Sequence, residues 1–144
     1  MKEVYVDAKN LIAGRLASFA AKTALLGNKV VIVNSEQAVI SGDPVLVVDR
    51  YRYRRSETGN LVKGPFISRL PEMFLKRLLR GMLPHHQARG REAFKNIMCY
   101  FRVPDEFKDK KFTTLDNADI TKKPHISKYV SIGTICKKLG GRAD

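Results

Sequence analysis

One stretch limits the fold of this chain more than any other: Lys29-Val30-Val31-Ile32-Val33-Asn34, a nearly unbroken run of β-branched residues. Such a run makes a strand, and because no polar residue alternates along it, both of its faces must be covered. That is the signature of a sheet inside an α/β fold. The residues upstream agree. Val4-Tyr5-Val6 is a short β-rich run and Asp7-Ala8-Lys9-Asn10 a polar turn. Ile12, Leu16, Phe19, Ala20, Thr23 and Leu26 then share one helical stripe, which Gly27-Asn28 stops.

Downstream, Ala38-Val39-Ile40 reads as a third strand, followed by Asp43 as N-cap and Pro44 in the first turn of a helix. That helix runs from Val45-Leu46-Val47-Val48 into Arg50-Tyr51-Arg52-Tyr53-Arg54-Arg55, where apolar and basic residues stop segregating, so its far end should leave the core. Residues 56–70, with Gly59, Gly64 and Pro65, read as a long loop. From Pro71 the periodicity is clean. Phe74, Leu75, Leu78, Leu79 and Met82 form one face and Lys76, Arg77 and Arg80 the other, up to Gly81. His85 to Arg91 reads as a basic loop before a short helix, Ile97 to Val103 as a fourth strand ended by Pro104, and residues 105–125 as loop. Ser131 is placed to cap a last helix with Ile132, Ile135, Cys136 and Leu139 inward, stopped by Gly140-Gly141. Three residues, Ser35-Glu36-Gln37, separate the second and third strands. That is short enough for a hairpin, whereas a parallel crossover needs about a dozen residues. The length of 144 residues fits one domain, 1–144.

Charge divides the chain. The net formal charge of +13 is spread as 0 over residues 1–49, +10 over 50–102 and +3 over 103–144. A neutral scaffold with one cationic stretch points to a polyanion partner. A plain solvated basic surface is the alternative. The residues expected to bind RNA are Arg50, Arg52, Arg54, Arg55, Lys63, Arg69, Lys76, Arg77, Arg80, His85, His86, Arg89, Arg91 and Lys95, with Tyr51, Tyr53, Phe66 and His85 offering rings to unstacked bases. Tyr51 and Tyr53 fit a core position equally well, and the His pair fits an exposed loop.

Enzymatic chemistry has little support. Gly14 stands alone where a dinucleotide fingerprint needs three glycines, so it reads as a residue allowing close packing at the helix start. There is no phosphate-binding Gly-x-x-x-x-Gly-Lys loop, no His-Glu-x-x-His and no nucleophile elbow. Cys99 and Cys136 have no partner spacing and read as small buried hydrophobes, so no metal or cofactor is expected. No run of 18 apolar residues exists and Met1-Lys2-Glu3-Val4 does not open a signal peptide, so a cytoplasmic location away from membranes is expected.

Gly64-Pro65-Phe66, Arg80-Gly81-Met82-Leu83-Pro84-His85 and Arg89-Gly90-Arg91-Glu92-Ala93 resemble the family of large-subunit ribosomal protein thirteen. So do Gly14-Arg15-Leu16-Ala17, Leu26-Gly27 before Lys29-Val30-Val31, and Ile40-Ser41-Gly42. The form of these motifs is that of the archaeal and eukaryotic branch, archaeal in a chain of this length. The resemblance implies a three-layer α/β/α fold with a four-stranded, mainly parallel sheet and a basic helical and loop insertion. It implies large-subunit rRNA and neighbouring large-subunit ribosomal proteins as partners, a structural role in assembly and translation, and no catalysis, cofactor or small-molecule substrate. Carried onto this chain, it places rRNA contacts in Met82 to Arg91 and the basic residues just before.

Overall fold

A computed structural model of the chain describes residues 1–60 and 62–141. The elements are β1 (Glu3–Asp7), α1 (Ala13–Leu25), β2 (Lys29–Val33), β3 (Val39–Ser41), α2 (Pro44–Ser56), α3 (Pro71–Gly81), α4 (Ala88–Lys95), β4 (Ile97–Cys99), β5 (Tyr129–Ser131) and α5 (Ile132–Lys138). β2 is the central strand of a parallel sheet in the order β1-β2-β4, with Val4 opposite Val30 and Val30 opposite Ile97. Val30 to Val33 are all buried, as their composition demands.

Strand alternation sends Val4, Val6, Val30 and Ile32 to one side, where residues from all five helices close over them in one core. Ala17, Ala20, Ala21 and Ala24 keep the inward face of α1 small enough to approach the sheet closely. On the opposite side Tyr5 and Tyr100 pack their rings on Phe107, with centroids 5.6 and 5.2 Å apart. Phe107 belongs to a 3-10 turn, Asp105–Phe107.

The expected fourth parallel strand is absent from this sheet. β3 pairs instead with β5, antiparallel, with Val39 opposite Ser131 and Ser41 opposite Tyr129. The reason is geometric: both edges of β2 are already taken by β1 and β4. Asn34, in the left-handed region at φ 55°, turns the chain into a 3-10 turn at Ser35–Gln37 that carries it away. Neither the hairpin nor the crossover describes this link, and β5 itself carried no sequence signal. β4 is also shorter than expected, because Arg102 at φ 55° bends the chain after Tyr100 donates its N–H to the Ile32 carbonyl at 2.8 Å.

Gly14 is corrected too. A Cβ there would meet nothing within 4 Å, so close packing is not its role. Cys99 and Cys136 are buried as expected, and burial pushes both thiols up to about 12.

Candidate nucleic-acid interface

α2 starts where the sequence places it. The Asp43 carboxylate accepts from the Val45 N–H at 3.0 Å, Pro44 occupies the first turn, and Lys128 reaches the same carboxylate at 3.4 Å. These contacts hold the Asp43 carboxyl below the usual range, the Val45 N–H doing most. Val47 and Val48 anchor the helix in the core, and the Tyr51 ring meets Phe74 of α3 edge-on at 4.9 Å. Tyr51 is thus a packing residue first, whereas Tyr53 is exposed. Beyond this anchor the helix carries Arg50, Arg52 and Arg54 in solvent. Arg52 pairs with Asp49 at 3.6 Å, and the Arg54 guanidinium sits 5.7 Å above the Tyr51 ring. Arg55 is half-buried. Burial, with repulsion from Arg69 adding, pulls its guanidinium below the ordinary value.

The loop that follows is organised by Asn60. Its side-chain oxygen accepts from the Val62 and Lys63 N–H groups at 2.9 and 3.1 Å, and its carbonyl accepts from Gly64 N–H at 2.6 Å. Lys63 is exposed on this turn. Arg69 is also exposed, its guanidinium lying along Gly140 at the end of α5, where a Cβ would stand 3.5 Å from Cζ.

α3 buries Phe74, Leu75 and Leu79 as its periodicity requires, while Met82 is exposed instead of joining them. Its three cations do not form one cluster. Lys76 is half-buried, its ammonium 5.1 Å from the centroid of Phe94 and 4.0 Å from the Met98 sulfur. Arg80, four residues on and also half-buried, shares that side of the helix. Arg77 is exposed on another side, towards α2 and the loop.

After α3 the chain turns through Leu83-Pro84 to His85 and His86, whose rings lie 4.1 Å apart. α4 begins at Ala88, so Arg89, Gly90 and Arg91 are helical where a loop was expected. Arg91 donates to the His86 carbonyl at 2.9 Å, fixing the turn, while Arg89 and Lys95 extend into solvent. Gly90 holds the helix against this turn, since a Cβ there would fall inside the Pro84 carbonyl and 2.9 Å from the His85 nitrogen. Sequence reasoning overlooked this role. The available signal was a glycine inside an eight-residue helix, where it costs about 1 kcal/mol unless a close approach requires it. The importance of Asn60 was missed as well, although an Asn in a loop stretch readily accepts from the backbone N–H two residues on, as Asn60 does from Val62.

α3 packs on both α1 and α5, α2 packs on α5, and α4 packs on α1. The cationic residues therefore run across α2, α3 and α4 with α3 in the middle. Among the described residues, Arg52 is the only one of the expected RNA-binding cations with a carboxylate in ion-pair range; the remaining ion pairs, such as Lys29 with Glu3 and Lys122 with Asp116, lie outside residues 50–102. No group of His, Cys, Asp or Glu able to hold a metal occurs among the described residues, and no helix among them is long and apolar enough to cross a membrane.

The family described as Ribosomal protein L13 matches residues 1–106. The chain belongs to that family. Members similar to it include the large ribosomal subunit protein uL13 of Methanococcoides burtonii, 42% identical over 95% of this chain and 97% of the relative. The uL13 proteins of Archaeoglobus fulgidus and Aeropyrum pernix are each 39% identical, over 95% and 96% of this chain and 87% and 90% of their own lengths. These L13 relatives are archaeal, as the form of the motifs implied.

Proposed function

We propose that the chain is a structural component of the large ribosomal subunit. As a single α/β unit it binds and stabilises folded large-subunit rRNA beside neighbouring ribosomal proteins, supporting ribosome assembly and translation in the cytoplasm. The role is architectural and not catalytic. Family membership supports the assignment to the large subunit. The observation that carries the RNA contact is the row of exposed, largely unpaired cations on α2, α3 and α4, set against ion pairing elsewhere. Cations left without carboxylates are available to neutralise phosphates.

The proposed contact set is Arg50, Arg52, Arg54, Lys63, Arg69, Arg77, His86, Arg89 and Lys95 in the first instance, all exposed. Arg55, Lys76 and Arg80 are half-buried and lend charge from beneath this surface, while half-buried His85 and exposed Arg91, which donates to the His86 carbonyl, shape the turn beside it. Two measurements test this reading. The protein should co-sediment stoichiometrically with large subunits, and a free pool bound to messenger RNA would contradict the assignment. Binding to folded rRNA should also fall with salt at a log-log slope steeper than about −6 for about ten phosphate contacts. Changing Arg50, Arg52 and Arg54 together to Gln should flatten that slope by about 2 to 3 while leaving Tm within about 2 °C. An unchanged slope would remove α2 from the interface.

A further inference from the structure

Between the end of α2, the loop and α3 lies a cleft of about 350 Å³, walled by Tyr51, Phe66, Ile67, Phe74 and Leu78. Its volume is at the low end of the roughly 300–1,000 Å³ that small ligands fill. Arg54 and Arg77 are also part of its lining, and no carboxylate lines it among the described residues. We infer that this cleft receives one extruded nucleobase of the rRNA, stacked on Phe66, with Arg54 and Arg77 flanking its phosphates. The inference rests on the rRNA reading above and adds a mode of recognition to it.

Three observations support a base as the occupant. Phe66, a large ring left 62% exposed, continues the apolar walls of the cleft into one uncovered apolar surface. The ring is held in place from behind. Asn60 fixes the turn through three hydrogen bonds, and Phe66 lies so close to Gly64 that a Cβ there would stand 3.0 Å from the ring. Charge makes the third argument. An apolar slot rimmed by guanidiniums, one of them 5.7 Å over Tyr51, complements a flat ring carried on a phosphodiester chain, whereas an aliphatic side chain of a neighbouring protein would fill the slot but gain nothing from the two cations.

The test uses the full-length protein and its own large-subunit rRNA, with affinity measured across a range of KCl concentrations. Phe66→Tyr and Phe66→Trp keep a stacking ring and should bind within about twofold of the wild type. Phe66→Leu and Phe66→Ala should each weaken binding by about 5- to 100-fold with the salt slope unchanged, because stacking releases no counterions. All four variants should melt like the wild type, since Phe66 lies outside the core. In the wild-type complex, ultraviolet crosslinking should join an rRNA base to the peptide containing Phe66.

Full affinity in Phe66→Leu, with loss only in Phe66→Ala, would mean that an apolar contact suffices, as for a protein side chain, and would overturn the inference. Wild-type affinity in Phe66→Ala would overturn it too. A salt-independent wild type is a separate failure, since it would remove the rRNA reading itself whatever happens at residue 66.

Discussion

Replacing Gly90 with Ala sets two known effects against each other, so the sign of the result is informative. In a helix free of tertiary contacts, Gly to Ala stabilises by about 1 kcal/mol through helix propensity and loss of chain entropy. At Gly90 the added methyl would lie inside the Pro84 carbonyl and 2.9 Å from the His85 nitrogen, and both neighbours are backbone. No side-chain rotation relieves the overlap; α4 or the turn before it must move by about an ångström. Overpacking of this kind costs about 1–3 kcal/mol before propensity is credited, and a clash against backbone falls at or beyond the upper end. A net destabilisation of about 2 kcal/mol or more follows, lowering Tm by about 6 °C or more in a protein of this size. Thermal unfolding followed by circular dichroism measures it, with Gly14→Ala as the control. Gly14 is exposed in the first turn of α1 with nothing near its missing Cβ, so that change should leave Tm unaltered or raise it. Displacing the Pro84–Gln87 turn should also weaken rRNA binding in Gly90→Ala. A Gly90→Ala protein as stable as the wild type, or more so, would refute the close approach.

Asp43→Ala should lower Tm by removing the N-cap of α2, and the difference should depend on pH. The Asp43 carboxyl is held below its usual value chiefly by the Val45 N–H, so its contribution is complete above the unfolded value near pH 4 and lost as pH falls through the lower native value. Parallel melting curves of both proteins from pH 7 down to 2 check this, and a gap that persists at the acid end would contradict it. Cys99 and Cys136 should resist iodoacetamide at pH 8 while the protein is folded and react once it is unfolded in urea, because burial holds both thiols protonated. Rapid native labelling, read by mass spectrometry, would mean that the core is open at those positions.

The elements that could be read in the sequence are those whose signals are local. α3 and α5 each bury a helical stripe visible within a dozen residues, the Asp43-Pro44 start of α2 is a two-residue signal, and β2 announces itself by composition. α1 is a helix as expected, but it buries Leu16 and Ala20 together with Ala13, Ala17, Ala21 and Ala24, while Leu26 of the expected stripe lies exposed beyond its end. β3 was legible as a strand but not its partner, and β5 was not read at all. Each is three residues long, and their pairing joins Val39 to Ser131, a relation that no periodicity within either segment encodes. The interface divides in the same way. That residues 50–102 carry the excess charge follows from counting, and the exposure of Arg50, Arg52 and Arg54 follows from the lost segregation on α2. That Lys76 lies on Phe94, or that Tyr51 packs on Phe74 instead of facing a ligand, depends on which helices meet, and only the folded chain shows it.

The pairing of β3 with β5 has a consequence for the order in which this protein is made. Emerging from the ribosome, β1, α1 and β2 can associate at once, since their contacts span few residues. α2 follows directly, yet α5, against which it rests, and β5, which pairs with the strand just ahead of it, are translated only after the whole cationic stretch. During that interval the nascent chain presents its arginines on an unsecured helix, open to polyanions before its own fold is complete. Synthesis of β5 and α5 is the event that fixes that helix in place.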